Sequence, residues 1–331
     1  MSQQQTLLLT GSTGTIGKLL IQQLHSTKQE AHLKLKLLVR NVEKAKELFD
    51  ALQSDSFQLE YIQGDLPIND KSVNTELLFD KVEKIFILAP DVPQKVNLEK
   101  SIVEKALQYT KASNGQLKQV VKLSALGVSR DRETNNLLRW HADSEYEIFQ
   151  ALNHYNEVNS DNTVSHVFIR PGMFMQNILG GYEHYYLMNH NMIVRPDLNT
   201  RHSYTTSFVD VRDLVKIISL VLLETDVTKY GDKTFTITGP STTTNQEFVE
   251  IVSKVLKRDI HYEKVSEFTF MNMLKEMQIP NDYIWMLIKL YQTGKENGAA
   301  SIIYEDFENI TGTSPTTFEQ FLLDHLSYFN Q

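Results

Sequence analysis

The sequence predicts an α/β protein: a doubly wound parallel sheet with a smaller, mainly helical C-terminal lobe. Three observations carry this expectation. Short apolar runs alternate with longer helix-periodic segments through the first half of the chain, the pattern of strand–helix–strand units. The first run passes straight into the first periodic segment through three closely spaced glycines, "LLLTGSTGTIGKLL" at 7–20. Beyond Gly172 the character changes, with tyrosine, histidine and methionine crowded into one segment before the helix-periodic stretches of the C-terminal part.

In chain order, "TLLLTG", "LKLKLLVR", "FQLEYIQGD", "KIFILAP", "QVVKLSALG" and "SHVFIRPG" read as six strands, because most are short, apolar and rich in β-branched or aromatic residues. Helices are expected between them at 17–28, 42–53, 96–113 and 137–153. "GGYEHYYLMNHNMIVRP" is too polar for a plain core helix and reads as a pocket wall. "VDVRDLVKIISLVLLE" has apolar residues at helical spacing behind a cap at Asp210 and returns to the main sheet, and "KTFTITGP" is a further strand. "TTTNQEFVEIVSKVLKR", "EFTFMNMLKEM" and "PTTFEQFLLDHLSYF" supply the helices of the small lobe. The expected division is 1–180, with 205–240 returning to it, against 181–204 and 241–331.

Composition excludes several classes of function. Lysine and arginine total 33 against 41 acidic residues, a net charge of −8, which argues against nucleic acid as a ligand. There is no cysteine, so disulfides, thiolate metal sites and cysteine catalysis are absent together. No apolar run reaches the roughly 18 residues needed to cross a bilayer, and "MSQQQTLLLT" lacks the pattern of a signal peptide. The expectation is a soluble cytoplasmic protein with no membrane contact. His184, His190 and His202 share a stretch without metal-ligand spacing, and no GxSxG elbow is present.

The glycines carry the chemistry. A strand that turns sharply into a helix needs glycine where φ is positive or where another group must come close. The helix then points unpaired N–H groups and its positive dipole end at that spot, which suits an anion. With a strand before it and a helix after it, TGxxGxxG has the context of a dinucleotide fingerprint; the bland alternative is a tight bend with no ligand. Gly11 makes the turn, Gly14 admits the pyrophosphate and Gly17 lets the helix lie close to the sheet, with Ser12, Thr13, Thr15 and Ile16 completing the loop. Arg40 stands at the end of the second strand, where an acidic residue would hold the ribose of NAD and an arginine accommodates a 2′-phosphate. NADP(H) is therefore expected over NAD(H), while Lys44 reads as part of a solvated helix face. Asp65 could accept from an adenine amino group with Leu66 over the ring, although Gly-Asp after a strand is also a plain turn signal. Ala89 and Pro90 present a small, donor-poor surface to a ribose.

"TGSTGTIGK", "LLVRNVEKA", "VVKLSALG", "HADSEYEIFQAL", "VFIRPGMFMQNIL", "SFVDVRDLV" and "TFTITGPSTTTNQEFVEIVSKVL", followed by "EMQIP", "LYQTGKENGAAS" and "ITGTSPTTFEQFLLDH", together resemble the NmrA-like branch of the atypical short-chain dehydrogenases, in order through nearly the whole chain. The resemblance implies a Rossmann fold and one of two functions. One is NAD(P)H-dependent reduction of quinones, azo or triphenylmethane dyes or ergot-alkaloid iminium intermediates. The other is NADP(H) sensing by a non-catalytic regulator that acts through a protein partner. Where ordinary short-chain dehydrogenases have Tyr-x-x-x-Lys, this chain has His141-Ala-Asp-Ser-Glu145, which resembles members with histidine or lysine at the first position. His141 either donates to the acceptor near neutral pH or pairs with Glu145 on a helix surface. The resemblance places Ser124 beside the nicotinamide and runs Pro171 and Gly172 past it. Met173, Phe174 and Asn177 follow into the pocket or pack in the core, and Tyr182, Tyr185, Tyr186 and Trp285 line a flat acceptor site or pack between lobes.

Overall fold

The structure is a computed structural model and describes residues 4–27, 32–68, 73–113, 115–131, 136–197, 205–296 and 298–330. The chain divides into two compact units: Met1–Ser124, Trp140–Arg170 and Val215–Phe235 form the first, and Ala125–Arg139, Pro171–Leu214 and Thr236–Gln331 the second. The chain thus enters the second unit at Pro171, not at 181, and 125–139 also belongs there.

Strands β1 (Gln5–Leu9), β2 (Leu33–Val39), β3 (Phe57–Gln63), β4 (Lys84–Ile87), β5 (Gln119–Leu123) and β6 (Ser165–Pro171) match the six expected runs. A seventh strand, β10 (Lys233–Ile237), joins the same sheet, whose order is β10-β6-β5-β4-β1-β2-β3. Every pairing from β6 to β3 is parallel. Leu7, Leu8 and Leu9 are each at most 1 % exposed, so β1 reads as an unbroken apolar run because both faces of a parallel sheet are covered. The chain builds outward from β1 to β3 and then restarts at β4 on the other flank of β1. This reversal is a topological switch point, the place where open α/β sheets bind ligands.

The helices of this unit are α1 (Thr15–Thr27), α2 (Val42–Phe49), α3 (Thr75–Phe79), α4 (Lys95–Ser113) and, from Trp140 onward, α5 (Asn136–Val158). Residue 28, expected to end α1, lies outside the described residues. The helix expected over 42–53 stops at Phe49, because the Asp50 carboxylate takes the Tyr61 hydroxyl at 2.8 Å and the Gln53 amide at 3.1 Å and tightens 50–52 into a turn. The helix expected to end at 153 runs on to Val158, since Tyr155 is buried and Asn156 bonds both backbone groups of Val164. On α4 the buried face includes Lys95 and Glu99 beside Leu98, Ile102, Val103 and Ala106, so charged residues occupy core positions.

The second unit is not helical alone. It holds β7 (Met173–Phe174), α6 (Gly181–His190), β8 (Met192–Asp197), β9 (Thr205–Val209), the start of α7 (Val211–Leu223), β11 (Thr242–Thr244), α8 (Asn245–Leu256), β12 (His261–Ser266), α9 (Glu267–Glu276), α10 (Asn281–Glu296), α11 (Asp306–Thr311) and α12 (Phe318–Asp324). These strands form a three-stranded sheet, β11-β9-β7, and a two-stranded one, β12-β8. Phe248 stacks on Phe318 with centroids 4.4 Å apart inside an apolar core that includes Phe208 and Phe321. Asp210 caps α7 as expected, its carboxylate accepting from Arg212 N at 2.8 Å. At the other end, buried Lys84 donates to Val221 O and Glu224 O and ties α7 to β4. No helix among the described residues is long and apolar enough to cross a membrane.

Candidate functional site

Parallel pairing brings the carboxyl ends of β1 to β5 to one edge of the sheet, and the predicted residues of the first unit lie there. Gly11 has φ +65°, and a Cβ on it would stand 2.6 Å from Leu88 O; only glycine can make this turn. A Cβ on Gly17 would lie 2.6 Å from Ser12 Cα, so the backbone that Gly17 admits is the loop itself, where the sequence suggested the sheet. Gly14 differs. Its Cβ would meet only Gly11 O, at 3.4 Å, with open space otherwise. Ser12 is buried and its Oγ has no partner among the described residues, while Thr13 and Ile16 are half-buried and Thr15 is exposed. Thr10, which the sequence did not single out, donates from Oγ1 to Leu88 O at 3.1 Å and accepts from Leu88 N at 2.8 Å, stapling the ends of β1 and β4 together.

Arg40 is exposed just past β2, and its guanidinium makes no hydrogen bond or ion pair among the described residues. Asn41 behind it caps α2 by accepting from Lys44 N at 2.9 Å, and the Lys44 side chain is exposed. Asp65 is exposed and accepts from Leu66 N at 2.9 Å; Leu66 packs partly against the core under the sheet. Pro90 is exposed, whereas Ala89 is buried and its carbonyl takes a hydrogen bond from Lys95 Nζ at 3.0 Å. Ser124 N donates to Ile169 O at 2.7 Å, and its buried Oγ, like that of Ser12, is without a partner among the described residues.

His141 is where structure and sequence part. It is 5 % exposed, and its partner is not Glu145, which pairs with Arg170. The His141 Nδ1 lies 3.2 Å from Lys122 Nζ and Nε2 lies 3.1 Å from Asp91 Oδ1. An ammonium donates and a carboxylate accepts, so Nδ1 is the acceptor and Nε2 carries the proton. Burial and the neighbouring lysine hold its pKa down at about 4, against the opposing pull of Asp91. Both ring nitrogens are engaged and the ring is neutral at pH 7, which removes the imidazolium acid that the sequence suggested. Lys95, Glu99 and Ser144 complete this buried group: Lys95 Nζ lies 3.0 Å from Glu99 Oε1 and 3.1 Å from Asp91 Oδ1, Lys122 Nζ lies 2.8 Å from Glu99 Oε2, and Ser144 Oγ donates to Glu99. Burial pushes the Glu99 carboxyl up, but the two lysines outweigh it and hold the group below the usual range.

In the second unit, Leu126 N donates to Pro171 O and Gly172 N to Ile237 O, each at 2.9 Å. A Cβ on Gly172 would come within 2.9 Å of Ser207 O. Met173 and Phe174 are half-buried and pair with Phe208 and Val209 of β9, and Met173 packs on the phenylalanine core. Asn177 and Tyr185 are exposed, Tyr186 is half-buried, and Trp285 is 48 % exposed. Tyr182 is withdrawn from any acceptor wall. It is buried edge-on to Phe270, with its hydroxyl 2.6 Å from the Tyr291 hydroxyl and 3.2 Å from Arg195, and Arg195 forms an ion pair with Glu183. His184 lies against Ile178 O, and His202 falls outside the described residues.

A parallel sheet with a glycine loop beside its switch point defines the Rossmann class of α/β proteins. Within it the chain belongs to the NmrA-like family, whose model matches residues 3–322. It is similar to the NAD(P)H azoreductase of Xenophilus azovorans, at 23 % identity over 98 % of this chain and 99 % of that protein. Among solved structures it resembles the NADPH-dependent quinone oxidoreductase of Escherichia coli (TM-score 0.72, 19 % identity, 97 % of this chain and 99 % of that one). It also resembles the Citrobacter sp. triphenylmethane reductase complexed with NADP(H) (TM-score 0.73, 18 % identity, the same coverage).

Proposed function

We propose that this chain is an NAD(P)H-dependent oxidoreductase, and specifically an NADPH-dependent reductase of flat conjugated acceptors: a quinone, an azo or other dye, or an iminium compound. The observation that carries this reading is the cradle at the switch point. Gly11 turns the chain, the space at Gly14 is open, and the buried Ser12 hydroxyl lacks a partner among the described residues. These residues fit a dinucleotide pyrophosphate at a helix N-terminus. The relatives named as azo, quinone and dye reductases support the reaction class.

A dinucleotide held here would supply the hydride from its nicotinamide. The loop 11–17 would hold the phosphates, and Arg40, exposed and without a partner among the described residues, would take the 2′-phosphate that distinguishes NADPH. Ser124 offers its hydroxyl to the nicotinamide end, and Asp65 and Leu66 meet the adenine. Acceptor contacts are assigned to Phe174, Asn177 and Trp285. No protein acid is assigned, because His141 is neutral and engaged on both sides; a quinone or azo acceptor takes up its proton from water after hydride addition, whereas an iminium or triphenylmethane cation is neutralised by the hydride alone and needs no proton.

Mixing the protein with NADPH and a panel of quinones and azo and triphenylmethane dyes, and following the nicotinamide absorbance, tests the reading. Turnover above the buffer rate is expected. NADPH binding without turnover across the panel would make the chain a cofactor-sensing regulator, and absence of binding would overturn both.

A further inference from the structure

The helical segment "HADSE", 141–145, loses its chemical task once both nitrogens of His141 are engaged, yet it does not face solvent. His141 and Ser144 meet a buried ion network whose centre is Glu99, 0 % exposed, bridging Lys95 at 3.0 Å and Lys122 at 2.8 Å. Each lysine also donates to a backbone carbonyl, Lys95 to Ala89 O and Lys122 to Leu123 O, both at 3.0 Å. Those carbonyls lie at the carboxyl ends of β4 and β5, and Pro90 and Ser124 are the residues that follow them.

Topology decides which half of a dinucleotide meets these ends. The glycine loop, Arg40 and Asp65 follow β1, β2 and β3, whereas β4 and β5 lie across the switch point. A dinucleotide with its phosphates on the loop and its 2′-phosphorylated adenosine toward Arg40 presents its other end to β4 and β5. Buried ion networks contribute little net stability, since desolvation offsets the Coulombic attraction. What this one supplies is direction, because each lysine is held between a carboxylate and a carbonyl.

We propose that Glu99, acting through Lys95 and Lys122, is a positioning residue for the nicotinamide half of the site: it sets the strand ends at Ala89 and Leu123, and with Leu123 the Ser124 hydroxyl, while His141 and Ser144 brace it from α5. The inference rests on the NADPH reading above. Its test compares calorimetric binding of NADPH with that of 2′-phospho-ADP-ribose, which has no nicotinamide, in the unaltered protein and in Glu99→Gln. The variant is expected to bind the fragment within about twofold of the unaltered protein and NADPH about tenfold more weakly, the scale of one or two net hydrogen bonds. Parallel loss of both ligands, or loss of neither, overturns the proposal. If Glu99→Gln shows no cooperative unfolding, Ser144→Ala, which deletes a single hydroxyl from the network, is read by the same criterion with a selective loss of about threefold expected. An unaltered protein that binds neither ligand overturns the NADPH reading itself, a distinct result.

Discussion

At His141 burial and the ammonium of Lys122 outweigh the carboxylate of Asp91, and the imidazole stays neutral down to about pH 4. An unfolded histidine titrates near 6.5. Between these values the unfolded chain binds a proton that the folded chain refuses, so stability is full above about pH 6.5 and falls as the pH drops toward 4, by about 3 kcal/mol at most. Asp91, held below its ordinary range against burial by the hydrogen bond from His141 and by the ammonium of Lys95, and Glu99, held there by Lys122 and Lys95, add a further loss at lower pH. Denaturant midpoints measured from pH 7 to 4 are expected to fall more steeply in the unaltered protein than in His141→Gln; equal slopes would place the effect elsewhere. Arg40 supplies a second prediction at this scale. A charge-assisted contact contributes about 1.5–3 kcal/mol, so Arg40→Ala is expected to cut the preference for NADPH over NADH by roughly one to two decades in calorimetric titration. The position of Arg40 was legible because it depends on the end of one strand. The environment of His141 was not, because Lys122 and Asp91 stand 19 and 50 residues away along the chain.

At the scale of elements, the glycines of the first loop separate folding from binding. A side chain on Gly17 meets the backbone of Ser12, which cannot move aside, so Gly17→Val is expected to lower stability by about 1–3 kcal/mol or more. One on Gly14 meets little but occupies the cradle, so Gly14→Val should keep its circular dichroism and melting temperature while losing NADPH. Normal NADPH affinity in Gly14→Val would remove the phosphate-loop assignment. The strand and helix types were legible from periodicity. The ends of α2 and α5 were not, because Asp50 with Tyr61 and Asn156 with Val164 decide them through contacts outside the helix.

For the whole molecule, each of the two units has a buried ion group of its own. The loop, Arg40 and the Glu99 network belong to the first unit, and the second has its own buried pair, Glu183 with Arg195, roofed by Tyr182 and Tyr291. Glu183→Gln leaves a guanidinium that is 3 % exposed without its counter-charge, at an expected cost of about 3–5 kcal/mol in denaturant unfolding. Its affinity for 2′-phospho-ADP-ribose is expected to stay unchanged, because none of the residues assigned to that fragment lies in the second unit. A matching loss of affinity would show that the division does not hold.

The sequence by itself determined the parallel sheet, the glycine loop and the place of Arg40, because each is written in local periodicity or in a few adjacent residues. It also carried the order of motifs that marks the NmrA-like family. The tertiary structure alone decided that Lys95, Glu99, Lys122 and His141 form one buried network and that Tyr182 belongs to a core. A charged or aromatic side chain reads the same in sequence whether water or protein surrounds it. Burial and partners brought from distant segments are what engage both nitrogens of His141, and neither is a property of the residue's neighbours in the chain.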